Sequence, residues 1–349
     1  MKLTITTPDD WHLHLRDGAA MADVLAHSAR TFARAVVMPN LNPPVTSADQ
    51  AVAYRERILS ALPEGSDFKP LMTLYLTDLT SPEEVERATE AGVVAVKLYP
   101  AGATTNSEAG VTDLERVMPV LRAMEDLGLP LLVHGEVADP GVDIFDREQA
   151  FIERVLDSLL ARRRNLRLVF EHITTREAVA WILAAPPRVG ATITPHHLLL
   201  DRNAIFRGGL NPHHFCLPVL KRGRHREALV WAATSGNPRF FLGTDSAPHA
   251  RHAKESGSGC AGIFSAHAAL EICAEVFDTV GALDRLEAFT SFNGADFYGL
   301  PRNRGQVALV REPWNVPETY GFGNQEIVPL RAGEEIAWRS IPAERPGRE

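Results

Sequence analysis

Cysteine is scarce: Cys216, Cys260 and Cys273 are the three in a chain of 349 residues. Their odd number and irregular spacing argue against a disulfide framework and against a Cys-x-x-Cys zinc site. Concentrated charge is also missing. The net charge is −8, with no basic block or stripe, so a nucleic-acid surface is not expected. No apolar run approaches the roughly 20 residues that a membrane span requires. The opening Met1-Lys2-Leu3-Thr4-Ile5-Thr6 lacks the apolar core and small-residue cleavage site of a secretory leader. These absences predict a protein of the reducing cytoplasm, with neither membrane nor nucleic acid as partner. Internal repeats and low-complexity tracts are absent too.

What is present is ordinary globular material, 45% hydrophobic and 23% charged, enough for one large domain or two smaller ones. Strand and helix signals alternate regularly. The first strand runs through Trp11-His12-Leu13-His14-Leu15. Later strands are expected at Ala35–Asn40, Pro70–Leu76, Val93–Leu98, Leu131–His134, Leu168–His172, Val189–Thr194 and Arg239–Asp245. Between them lie helical patterns at Met21–Ala33, from Thr46 or Ser47 to Leu62, after Ser81-Pro82, from Thr112 as N-cap to Leu127, at Asp146–Arg163, after Thr175, and at Arg224–Ser235. Eight strands over about 250 residues match an α/β fold of the (β/α)8 barrel type. A doubly wound open sheet is the competitor, weakened because no Gly-rich turn follows the first strand. Residues 1–304 are assigned to the barrel. Residues 305–349 are assigned to a C-terminal extension of the same domain, strand-like at Val307–Val310 and fraying near Arg348.

Period-two alternation puts Trp11, Leu13 and Leu15 on one face of the first strand and His12 and His14 on the other. An isolated His-x-His is more often two polar residues on the wet side of an edge strand. Its company decides otherwise. His12, His14, Lys97, His134, His172 and Asp245 each fall at the C-terminal end of a predicted strand, the end where such barrels build their sites. Imidazoles and a carboxylate suit zinc, and more than three ligands allow two ions about 3.5–4 Å apart sharing a hydroxide. Asp245 could take a proton from that nucleophile and return it to a leaving nitrogen. Lys97 fits awkwardly, since an ammonium has no lone pair and would be repelled by cations. It is either outside the ligand shell in a salt bridge or modified into an anion.

The set His12-x-His14, Lys97, His134, His172 and Asp245 resembles the amidohydrolase superfamily. Closer motifs resemble its dihydroorotase family, of the short bacterial and fungal type, from about Pro8 to Pro301: His12-Leu-His-Leu-Arg-Asp-Gly18, Met38-Pro-Asn40, Val96-Lys-Leu-Tyr-Pro-Ala101 and Gly243-Thr-Asp-Ser-Ala-Pro-His249. The resemblance implies a zinc-dependent cyclic-amide hydrolase that interconverts (S)-dihydroorotate and N-carbamoyl-L-aspartate in pyrimidine biosynthesis. It implies two zinc ions per chain bridged by N6-carboxylated Lys97. His12, His14 and Asp245 would serve the more buried ion, His134 and His172 the more exposed one, and Asp245 would be the general acid/base. It further implies that Arg16, Asn40 and His249 bind the substrate carboxylate, that backbone near Leu217 and Ala261 meets the ring, and that Thr104 and Thr105 donate from a closing loop, Ala101–Ser107. A homodimer is expected on the same ground.

Two rivals share much of this pattern: a hydantoinase- or allantoinase-like enzyme, and an inactive relative kept as a scaffold. Arg16, Asn40 and His249 favour a substrate with a free carboxylate, and retention of every ligand argues against the scaffold. His196 and His197 are expected to border the pocket without being ligands, as are His213, His214 and His252. His27, His225 and His267 are expected in helices, and Cys260 as a small buried residue.

Overall fold

The computed structural model describes residues 1–342. β1 (Lys2–Thr6) stands apart from the strands that follow. Then β2 (Asp9–Leu13) leads to α1 (Ala19–Thr31), β3 (Arg34–Val37) to α2 (Ala48–Ser60), β4 (Lys69–Leu76) to α3 (Pro82–Glu90) and β5 (Ala95–Leu98) to α4 (Leu114–Leu127). β6 (Leu131–Val133) is followed by α5 (Arg147–Phe151), a π-helical stretch at Ile152–Leu156 and α6 (Asp157–Arg162). β7 (Leu168–Phe170) precedes α7 (Arg176–Ala184), and β8 (Val189–Ile193) precedes α8 (Pro195–Leu199) and α9 (Gly223–Thr234). β9 (Phe240–Leu242) comes before α10 (Arg251–Lys254), α11 (Ala269–Thr279) and α12 (Asn293–Tyr298).

Strands β2 to β9 form one sheet in sequence order, every neighbour parallel. It closes through the parallel bridge of Leu13 with Ser246, where Asp245 N donates to His12 O at 2.8 Å and His14 N to Ser246 O at 3.2 Å. This is the (β/α)8 barrel. Helices cover its outer face, where Val96, Leu131, Val133, Leu168, Phe170, Phe240 and Leu242 join the main core. The alternate residues Val36, Ala95, Leu132, Val169 and Phe241 fill the interior, plugged from below by Ala295 and Tyr298 of α12. Side chains therefore occupy the lower barrel completely, and only the upper layer has room for chemistry.

Several local expectations change. Trp11 does not share a face with Leu13 and Leu15. The pairing register shifts between Asp10 and Leu13, and the irregularity turns Trp11 inward onto Tyr298, with ring centroids 4.6 Å apart. Asp113, not Thr112, caps α4, its carboxylate accepting from Glu115 N at 2.9 Å; Thr112 instead holds Asp78. The expected single helix over Asp146–Arg163 is interrupted by the π-helical stretch. The extension begins with β10 (Gln306–Val310), which lies between β1 and the strand Arg339–Pro342 in an antiparallel sheet. The fraying expected near Arg348 lies outside the described residues.

Candidate active site

Polar residues at the upper ends of the strands arise from the same alternation that fills the barrel below. Above Ala95, Leu132 and Phe241 the next inward positions are Lys97, His134 and Gly243. Gly243 is required by proximity: a Cβ there would come within 2.8 Å of both His12 Cβ and Thr192 Cβ. Two strand ends depart from extended geometry, with His172 at φ 40° and Asp245 at φ 43°. Non-glycine residues rarely adopt this left-handed region, and at strand ends it aims consecutive side chains into one volume. Thus Glu171 and His172 both face the site.

The six predicted ligand residues converge there and are all buried. Asp245 Oδ1 lies 3.4 Å from His12 Nε2 and 3.0 Å from His14 Nε2. His134 Nδ1 is 3.2 Å from His172 Nε2. The two groups adjoin, with the His12 and His172 rings 5.0 Å apart. Burial lowers the imidazole pKa of His12 and drives those of His14 and His172 well below the ordinary value, with neighbouring cations adding to it. These rings are therefore neutral and carry lone pairs at pH 7. Burial pushes the Asp245 carboxyl up, opposed by the surrounding His12 and Lys97.

Lys97 is fully buried and its Nζ has no hydrogen-bond partner. Burial pulls its pKa down to about 8, although Glu171 and Asp245 favour the charged form. The salt-bridge alternative is not realised, since no carboxylate lies within ion-pair distance among the described residues.

A pocket of about 350 Å³ opens over this cluster. Arg16, Asn40, Thr104, Thr105, Leu217 and Ala261 all line it, while His249 stands behind Arg16. The Arg16 guanidinium is fixed by Pro248 O at 3.0 Å and by His249 Nε2 at 2.9 Å, and its own backbone sits at φ 61°. His249 Nε2 also lies 3.0 Å from Ala261 O. The loop from 101 to 107 is drawn over the mouth: Asn40 Nδ2 donates to Thr105 O at 3.1 Å, Asn106 Nδ2 returns a bond to Asn40 O at 3.0 Å, and Thr105 Oγ1 reaches Ala261 O at 3.4 Å.

Four residues that the sequence left unnoticed support the cluster. Glu171 Oε2 is 2.7 Å from His12 Nδ1 and accepts from Thr192 Oγ1 at 2.6 Å. Glu136 Oε2 is 3.1 Å from His134 Nε2. Asp10 binds Thr244 through both its oxygens, at 2.8 Å to N and 2.6 Å to Oγ1. Tyr99 lines the pocket, its hydroxyl buried and unpaired. A carboxylate beside a strand-end histidine, as in His134-Gly-Glu136 and Glu171-His172, is the signal that could have found the first two. Cys260 is half-buried rather than buried, and His267 lies in a turn before α11 rather than in a helix.

This geometry has known counterparts. A family model for the amidohydrolase family matches residues 6–314. The dihydroorotase of Laribacter hongkongensis is 66% identical over 339 residues, covering 97% of this chain and 98% of its own. The crystal structure of dihydroorotase from Campylobacter jejuni superposes with a TM-score of 0.89 at 37% identity, covering 97% of each chain. That of Saccharomyces cerevisiae dihydroorotase with 5-fluoroorotic acid gives 0.91 at 32% identity over 99% of each. The chain belongs to the amidohydrolase family, whose members are metal-dependent hydrolases. Within that family it stands with the dihydroorotases.

Proposed function

We propose that this enzyme opens and closes the ring of (S)-dihydroorotate, interconverting it with N-carbamoyl-L-aspartate in pyrimidine biosynthesis. The observation that carries the reading is the pairing of two things in one pocket. Neutral imidazoles and Asp245 form a metal-ligand cluster, and an Arg16 guanidinium on the rim suits a carboxylate. The yeast relative binds 5-fluoroorotic acid, itself a pyrimidine carboxylate. A hydantoin or allantoin offers Arg16 no such group.

The donor set fits two zinc ions. His12, His14 and Asp245 would hold one and His134 and His172 the other. Lys97, buried without a hydrogen-bond partner among the described residues, suits N6-carboxylation: the modification would replace a buried ammonium by an anion with oxygen lone pairs to offer the ions. When bound, the ions lower the pKa of water to about 7 and polarise the amide carbonyl.

The chain's own residues then do the rest. Asp245 accepts the proton released as the water attacks and delivers it to the ring nitrogen as the C–N bond breaks. Arg16 and Asn40 bind the carboxylate, and His249 holds the Arg16 fork in place. Thr104, Thr105 and the backbone at Leu217 and Ala261 position the ring, and closure of the 101–107 loop excludes water. A cytoplasmic setting accords with three free thiols, and a homodimer with the family resemblance.

The test compares dihydroorotate, hydantoin and allantoin as substrates on one preparation of known metal content. Turnover of dihydroorotate alone, about two zinc ions per chain and loss of both on chelation are expected. D245N should lose 10²–10⁴-fold in rate, roughly the contribution of a general acid/base, beyond whatever metal it loses with that ligand, which metal analysis of the same sample accounts for. Metal with turnover only of the other two substrates would discard the substrate assignment. Neither metal nor turnover, with zinc and bicarbonate supplied, would discard the enzyme.

A further inference from the structure

Behind the pocket lies a second group of ligand-type side chains that the proposed reaction does not use. His196 and His197 open α8 directly after β8, and Cys216 precedes the pocket residue Leu217. All three are buried, and their potential ligand atoms lie within 4.8 Å of one another.

The spacing is that of a coordination shell. Cys216 Sγ is 3.7 Å from His197 Nε2. The Pro218 carbonyl oxygen is 3.3 Å from that sulfur and 3.1 Å from that nitrogen. A tetrahedral ion with bonds of about 2.0–2.3 Å holds its ligand atoms roughly 3.3–3.7 Å apart. Sulfur, nitrogen and oxygen thus stand close to three corners of one tetrahedron. His196 completes the set. It is fully buried, and neither of its ring nitrogens has a hydrogen-bond partner among the described residues. Nothing in the apolar packing calls for a ring with two unsatisfied nitrogens.

The surroundings suit a metal. His197 Nδ1 is anchored by Thr194 Oγ1 at 2.8 Å, the kind of outer contact that fixes a ligating imidazole. Two buried ammonium groups act on the sulfur electrostatically, and both are hydrogen-bonded elsewhere. Lys221 donates to Val219 O at 3.0 Å, and Lys254 donates to the carbonyls of Phe215, Cys260 and Gly262 at 2.7, 2.8 and 2.6 Å. Burial pushes the Cys216 thiol up to about 12 and the two ammonium charges only partly offset this, so the proton leaves when a metal takes its place.

We propose that His196, His197 and Cys216, with the carbonyl of Pro218, form a separate site for one thiophilic tetrahedral cation such as zinc. Binding displaces the Cys216 thiol proton to solvent and leaves a thiolate ligand. Cys216 and Pro218 flank Leu217, so the bound ion would clamp the pocket wall at that residue. The site is independent of the His12–Asp245 cluster and does not depend on the reaction proposed above.

The experiment reloads the full-length metal-free protein with cobalt(II) alone. The wild type should bind one equivalent more than C216S. It should also show a near-ultraviolet thiolate-to-cobalt absorption that C216S lacks and C260S keeps. H196Q, at a side chain with no hydrogen bond to lose, should weaken the extra equivalent by at least tenfold with an unchanged circular dichroism spectrum. H134A should leave the thiolate band intact, which separates this site from the hydrolase cluster. Equal cobalt stoichiometry in wild type and C216S, or a thiolate band that survives C216S or is indifferent to H196Q, overturns the proposal and leaves a packing cluster only. If C216S fails to fold, H196Q and the band decide the matter by themselves.

Discussion

Glu171 Oε2 stands 2.7 Å from Nδ1 of His12, joining the end of β7 to β2 across the closed barrel. The contact fixes the imidazole so that Nε2 faces Asp245, and the same carboxylate oxygen is tethered by Thr192. Removing the charge while keeping the shape should loosen the ligand. E171Q is expected to lose metal affinity and dihydroorotate turnover together, by about 10–100-fold, as outer partners of metal-bound histidines do. Metal titration beside a rate assay checks this, and unchanged metal retention would show that Glu171 merely packs.

Arg16 is held by Pro248 and His249, so its fork is oriented before substrate arrives. R16K keeps the charge and removes the planar pair of donors. KM for dihydroorotate should rise by about 10–100-fold, equivalent to roughly 1.5–3 kcal/mol for hydrogen bonds to a charged group. Metal content should not change. Steady-state kinetics with metal analysis would expose an error in this assignment if KM stayed at the wild-type value.

Acid should weaken the join between the barrel and its extension. His27 of α1 and His267 both pack on Tyr320, at ring separations of 4.5 and 5.5 Å. Burial lowers His267 to about 3 and His27 to about 4. The unfolded chain takes up these protons below about pH 6.5 and the folded chain does not, so stability is complete above 6.5 and falls as the pH drops from 6.5 toward 4. Each group contributes at most about 1.4 kcal/mol per pH unit in that window. The melting temperature of the metal-free protein should decline from pH 6.5 to 4.5, and less so in H267F. A flat profile between those values would contradict it.

Gly294 of α12 sits under the indole of Trp11, and a Cβ there would collide with the ring. Trp11 immediately precedes His12 and is clamped on its other contacts by Tyr298 and Phe241. G294A should therefore destabilise the fold by about 1–3 kcal/mol through overpacking. Gly257 is a fair control, since no described atom lies within 4 Å of where its Cβ would stand and G257A should be close to neutral. Urea denaturation of both variants makes the comparison.

The barrel was legible because its strands are short apolar runs bounded by helix caps, and Ser47, Ser81 and Thr175 do cap as their sequences indicate. The metal-ligand cluster was legible because chemistry-bearing residues follow apolar runs, which a parallel barrel gathers at one end. Contacts between distant elements were not. The inward turn of Trp11 depends on a register shift set by neighbouring strands, and strict alternation carries no trace of it. Glu171 lies next to His172 yet serves His12, because the left-handed backbone at His172 breaks the period. Asn106 ties the loop to Asn40 through a backbone carbonyl, a partner that residue identity does not encode.

The sheet of β1 with β10 has a consequence for the order of assembly on the ribosome. Lys2 pairs with Val310 and Thr6 with Gln306, so β1 finds its partner only after the whole barrel has been made. At about 5–20 residues per second, roughly 15–60 s separate the two strands during translation. The barrel strands have adjacent partners in sequence order and can pair as they emerge, whereas β1 must wait as an open edge. Its outermost polar residues, Lys2 and Thr4, suit that interval: they make a poor template for pairing with another nascent chain.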